Sequence, residues 1–134
     1  MKLLKIFLLL ILNYLFLFSS AQREFKTQGG DTTYTMKRYV FMLLEEGPNR
    51  NQDSLTAKKI QEGHMANINK MAKSGQLVAA GPFENGGQNR GLLIFDLETV
   101  EEALKMEGKD PAVMAGRLKM NAFYWWVAKG TVLK

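Results

Sequence analysis

The sequence predicts an α+β domain with its elements in the order β-α-β-β-α-β: a four-stranded antiparallel sheet with two helices on one face. Three observations predict it. Two segments, Tyr39 to Leu44 and Ala122 to Val127, are apolar at both parities, as expected of strands covered on both faces. Between them Ile60, His64, Ile68 and Met71 recur at spacings of four, four and three, which puts them on one side of a helix. The turn-forming run Asn85-Gly86-Gly87-Gln88-Asn89 joins two further short apolar runs as a hairpin.

The chain of 134 residues opens Met-Lys-Leu-Leu-Lys, runs apolar from Ile6 to Phe18 and then reads Ser19-Ser20-Ala21. That is a charged start, an apolar middle and a small-residue cleavage signal, so residues 1–21 are expected to be a signal peptide and the protein to be exported, periplasmic or secreted. As a helix the apolar run would span only about 20 Å, too short to cross a bilayer. No membrane association is expected after cleavage. Residues 22–35 are polar around Gly29-Gly30-Asp31-Thr32-Thr33 and lack a period that would bury a face, so they read as a flexible linker to a domain spanning residues 36–130.

Within that domain, Met36 to Leu44 is the first strand. Glu45 to Asp53, with Gly47-Pro48-Asn49, is a loop, and Ser54 or Thr56 can cap a helix that runs to about Lys73 and ends at Gly75. Leu77 to Phe83 and Gly91 to Leu97 are the hairpin strands. Thr99 and Glu102 have capping-box spacing and open a second helix through Ala103, Leu104 and Met106. Asp110-Pro111 starts a short helical turn, with the aspartate as N-cap and proline at the first helical position. Lys119 to Val127 is the last strand.

This order is the split β-α-β-β-α-β arrangement of ferredoxin-like sheets. Two helices cover one face of such a sheet. The first and last strands are apolar on both, so the second face needs a cover that this chain lacks, and a homodimer packed sheet against sheet is expected.

Composition narrows the function classes. Lys2 and Lys5 carry two of the five net positive charges, and the remaining basic residues are spread without Arg-aromatic interleaving, which argues against nucleic-acid binding. There is no cysteine, hence no disulfide, no thiolate nucleophile and no cysteine-based metal site. One histidine with scattered carboxylates is a poor metal set, so no metal is expected. The glycines from Gly86 to Gly91 join two strands and precede no helix, which is the wrong context for a phosphate loop, and no cofactor is expected.

His64 is the chemical candidate. It shares a helix face with Ile60 and Ile68, so it is either a packed core histidine or a general base tuned by a carboxylate. Asp110 is the candidate to orient it. Asp-Pro is also an ordinary way to start a helical turn, and one carboxylate can do both. Gly81 and Pro82, at the end of the second strand, either line a substrate pocket or form a bulge entering a turn. Arg117 and Arg90 are the cations placed to reach a pocket rim, where an acidic substrate would use them. Tyr124, Trp125 and Trp126 read as core and interface aromatics rather than a ligand box.

The strand Tyr39 to Leu44, the helix bearing His64, Gly75-Gln76-Leu77-Val78-Ala79-Ala80-Gly81-Pro82, Glu101-Glu102-Ala103, Asp110-Pro111 and Ala115-Gly116, in this order and spacing, resemble the YCII-related (YciI-like) family over residues 36–128. The resemblance implies a ferredoxin-like fold, a dimer with a barrel-like core and an active site centred on His64 and Asp110. It extends to a dehydrochlorinase of chlorinated aromatic degradation, and a phosphorylated histidine has been suggested for the group. Many relatives carry an arginine shortly before the helix histidine, where this chain has Lys59-Ile60-Gln61-Glu62-Gly63, so Lys59 is the candidate replacement. An aromatic residue often follows the Asp-Pro pair, and here it is Ala112. On this basis two functions stay open: a small-molecule lyase or isomerase that moves a proton with His64 and Asp110, or a non-catalytic ligand-binding or structural dimer in which His64 is packed.

Overall fold

In the computed structural model, which describes residues 22–132, the first two-sided apolar run lies in the central strand of a five-stranded sheet and the second in an edge strand beside it. The elements are β1 (Glu24–Gly29), β2 (Thr32–Glu46), α1 (Ser54–Lys73), β3 (Leu77–Pro82), β4 (Asn89–Phe95), α2 (Val100–Glu107), α3 (Pro111–Met114) and β5 (Leu118–Ala128). The fold is α+β with an open antiparallel sheet. β5 runs along one edge of β2 from Met36 to Glu46. The other edge of β2 is shared, its first part pairing with β1 and its later part with β4, and β3 closes the sheet beyond β4. The central order β3-β4-β2-β5 is that of the split arrangement.

Alternation along β2 sends Val40, Met42 and Leu44 to the helical side, where they are buried with Leu93 and Phe95 of β4, Leu77 of β3, Met71 of α1 and Ala103 of α2. The opposite face is different. Phe41 stacks on Phe123 at a centroid distance of 5.5 Å and meets Trp125 edge-on at 6.2 Å, yet Phe123 and Trp125 remain 44% and 38% exposed. Among the described residues no helix is long and apolar enough to cross a membrane. Residues 1–21, read as a signal peptide, lie outside the described residues.

Two expectations are corrected. Residues 22–35 are not a flexible linker: Glu24–Gly29 and the start of β2 form a hairpin turned at Gly30, whose φ of 62° suits glycine. The sheet accordingly has five strands rather than four. Nearly every residue of β1 is exposed, so its side chains bury no face and leave no period to read. What holds it is the backbone ladder, the Arg23 pairs with Asp96 and Glu98, the Lys129–Glu24 pair and the Phe25 ring set edge-on to Trp126 at 4.9 Å. A smaller correction concerns α1, whose N-cap is Asp53, accepting from Thr56 N at 2.9 Å, rather than Ser54 or Thr56.

Candidate active site

His64 is placed by a close approach between two elements. On α1 it follows Gly63, and a Cβ at Gly63 would lie 2.8 Å from Cγ of Pro111. Only glycine lets α1 settle against the proline ring at the start of α3. Asp110 stands at the N-cap of α3 and is fully buried. Its Oδ1 accepts from Ala112 N at 2.8 Å and its Oδ2 accepts from Asn67 Nδ2 at 2.9 Å. The same Oδ2 lies 3.0 Å from Nδ1 of His64, although the ring N–H does not point along that line. The cap and the histidine contact therefore use the two oxygens of one carboxylate.

The electrostatics follow from burial and pairing. The Asp110 carboxylate raises the His64 pKa above its ordinary 6.5, and this outweighs the burial that would lower it. Burial pushes Asp110 upward, but His64, the Ala112 N–H and the Asn67 amide together hold it below the usual carboxylate value. A third group joins them. Glu107, the last residue of α2, is fully buried, with Oε2 3.4 Å from Asn67 Nδ2 and Oε1 without a protein partner. Burial, reinforced by the charge on Asp110, pushes its pKa to about 8, so it is mainly protonated at neutral pH.

The carboxylates are thus not scattered as the sequence suggested. His64, Glu107 and Asp110 each present a ligand atom within 4.8 Å of the others, a grouping that a small divalent cation could bridge. Holding an ion there requires Glu107 to lose its proton and His64 Nδ1 to be bare. Burial opposes the first and Asp110 opposes the second.

The rest of the His64 ring lines a cavity of about 430 Å³ between α1 and the β3–β4 side of the sheet. Nε2 makes no hydrogen bond and is not among the buried unpartnered atoms, so it is the ring nitrogen left to the cavity. Leu44, Ile68, Leu93 and Leu118 give the cavity apolar walls. Gly81, Pro82, Arg117 and Arg90 all line it as well. A Cβ on Gly81 would meet nothing within 4 Å, so no close backbone approach requires glycine there. The tight position is Gly91 across the ladder, where a Cβ would sit 2.8 Å from Gly81 O. Pro82 ends an edge strand, where a missing N–H is tolerated.

Lys59 is exposed and does not line this cavity. Arg50, from the loop before α1, does, and sequence reasoning missed it. Asn67 and Glu107 were missed too, although both carried a signal: Asn67 is three residues from His64 on α1, and Glu107 is four from the buried Ala103 on α2. For Arg50, in an irregular loop, no pattern was available.

Residues 40–123 match the YCII-related domain. The chain belongs to this family. Within the YCII-related domain the match takes in β2 from Val40, both main helices, α3 and β5 as far as Phe123, and so includes His64, Asp110 and the cavity. Among solved structures, the chain is similar to a 5-chloro-2-hydroxyhydroquinone dehydrochlorinase from Burkholderia phenoliruptrix AC1100, solved in complex with 2,5-dihydroxybenzoquinone. The identity is 17%, the TM-score 0.46, and the alignment covers 64% of this chain and 92% of the other. No curated protein sequence matches the chain.

Proposed function

We propose that this YCII-related protein is a small-molecule lyase or isomerase in which His64, supported by Asp110, moves a proton. One observation carries the reading: a single imidazole has one nitrogen against a fully buried carboxylate and the other facing a ligand-sized cavity. A histidine that served only to fill the core would leave no such space beside it.

In this mechanism the neutral ring keeps its proton on Nδ1, the nitrogen beside Asp110, and Nε2 takes a proton from a carbon of the substrate. The electron pair of the broken C–H bond forms a new double bond. In an isomerisation the imidazolium returns the proton to a different atom. In an elimination a leaving group departs with its own electron pair and the proton stays on His64 until water removes it. Asp110 remains ionised throughout and stabilises the imidazolium.

Because the base must be neutral, kcat/KM is expected to rise with pH through the raised pKa of His64, above 6.5. NMR titration of the only histidine tests this without a substrate. The Asp110→Asn variant should bring the His64 pKa down toward 6.5, because the ion pair raises it. Equal titration in both proteins would mean that the two residues are uncoupled and would leave a packed histidine in a binding or structural protein.

We further infer export and self-association. Export rests on the charge, apolar and small-residue order of residues 1–21, and N-terminal sequencing of the exported protein tests it by looking for a start at Gln22. Self-association rests on the exposed aromatic face of the sheet.

A further inference from the structure

The cavity at His64 is lined by three arginines, Arg50, Arg90 and Arg117, and by no aspartate or glutamate. Arg90 is paired with Glu46, which is not part of the lining. Arg50 and Arg117 make no ion pair among the described residues. Their heads are nevertheless held: Arg50 Nη1 donates to the Arg117 carbonyl at 3.1 Å, and Arg117 Nη1 donates to Gln52 Oε1 at 2.8 Å. Both acceptors are neutral, and each contact uses one of the five N–H groups that a guanidinium offers.

Arg50 is exposed at the rim and Arg117 half-buried, both lining one cavity without an acidic partner, and an anion bound in that cavity supplies the counter-charge they lack. The planar fork of arginine matches a carboxylate through two parallel hydrogen bonds. The remaining walls, Leu44, Ile68, Leu93 and Leu118, suit an apolar body, and about 430 Å³ accommodates a small ligand. The negative charge of Asp110 lies at the Nδ1 side of the His64 ring, outside the cavity lining, whereas the arginines line the cavity itself.

We propose that the cavity binds a small organic acid, an apolar body of about one ring bearing a carboxylate, clamped by Arg50 and Arg117 beside His64. This names the substrate class for the proton-transfer reading and rests on that reading for what happens to the bound acid. The two arms come from the loop before α1 and from the residue preceding β5, and Lys59 stays outside the cavity.

The test is calorimetric titration with benzoate and its neutral counterpart benzamide, with the ring signals of His64 followed by NMR. Benzoate should bind saturably, move the His64 signals and weaken with added salt, and benzamide should not. Arg50→Gln and Arg117→Gln should each weaken benzoate about tenfold or more, the loss expected when a charge-assisted bond is removed. Arg50→Lys and Arg117→Lys, which keep the charge and the loop contacts, should recover part of it, so that a folding defect is separated from loss of the clamp. Equal binding of benzoate and benzamide, no shift at His64, or wild-type affinity in both glutamine variants would overturn the proposal. The Asp110→Asn protein separates the two readings. Benzoate binding with an uncoupled His64 keeps the acid site and rejects proton transfer, and a coupled His64 without benzoate binding does the reverse.

Discussion

Glu107 shows what a single residue contributes at this site. It is an acid with no exposure, beside Asp110 and His64, and its protonated form is favoured up to about pH 8 against 4.5 for a free glutamate. An acid whose folded pKa is raised binds its proton more tightly in the folded state than in the unfolded one. Its favourable contribution is complete below pH 4.5 and is lost as pH rises toward 8. At ~1.4 kcal/mol for each pH unit, the swing is on the order of 5 kcal/mol. Glu107→Gln keeps the shape without the titration, so its unfolding free energy should fall less than that of the wild type between pH 5 and 8.5. Urea melts at the two pH values measure this, and parallel losses in both proteins would show that Glu107 is not the titrating group. At this scale the sequence was legible where residue type and spacing coincide. His64 and Asp110 could be found because one is the only histidine and the other precedes a proline. Glu107 was missed because a glutamate at a helix end reads as solvated, although its spacing of four from Ala103 places it on the buried face. Arg50 was hidden because a loop has no period.

Among the elements, the contact of α1 with α3 decides whether the site exists. It rests on Gly63 meeting Pro111, whose ring can yield to a Cβ 2.8 Å from Cγ only by a change of pucker, with Pro111 Cβ also close at 3.2 Å. Gly63→Ala therefore sets about 1 kcal/mol of improved helix propensity against overpacking of about 1–3 kcal/mol. The expected outcome is a stability loss of about 1 kcal/mol. More telling, His64 should draw away from Asp110 and its pKa should fall toward 6.5. Unfolding melts and the His64 titration check the two parts, and an unchanged titration would mean that α1 reaches Asp110 without needing this approach. The main elements were readable because they bury faces or carry caps. The alternation of β2, the helical spacing of α1, and the capping box of Thr99 and Glu102, present with both of its hydrogen bonds, all lie in the sequence. The β1–β2 hairpin was not readable, because its stability comes from backbone pairing and from ion pairs formed far away along the chain.

For the whole molecule the open question is what covers the second face of the sheet. Phe41, Phe123 and Trp125 form one aromatic cluster there, and its two β5 members are more than a third exposed. A contiguous aromatic surface in water is unfavourable at about 25 cal/mol for each Å² left exposed, and a stable dimer removes about 800 Å² from each partner. A second copy of the same sheet is the occupant that needs no other gene product, and a two-fold axis would bring the cluster against itself. Phe123→Asp then places two charges in one interface, since every substitution at a two-fold contact occurs twice. Sedimentation at micromolar concentration should give a dimer for the wild type and a monomer for Phe123→Asp. The His64 titration should be unchanged in that variant, because Asp110, itself held by Asn67, meets the histidine on the helical side of the sheet. A wild-type monomer would reject the dimer outright. A monomeric variant with an altered His64 pKa would show instead that association and the proton-transfer centre are coupled through the sheet.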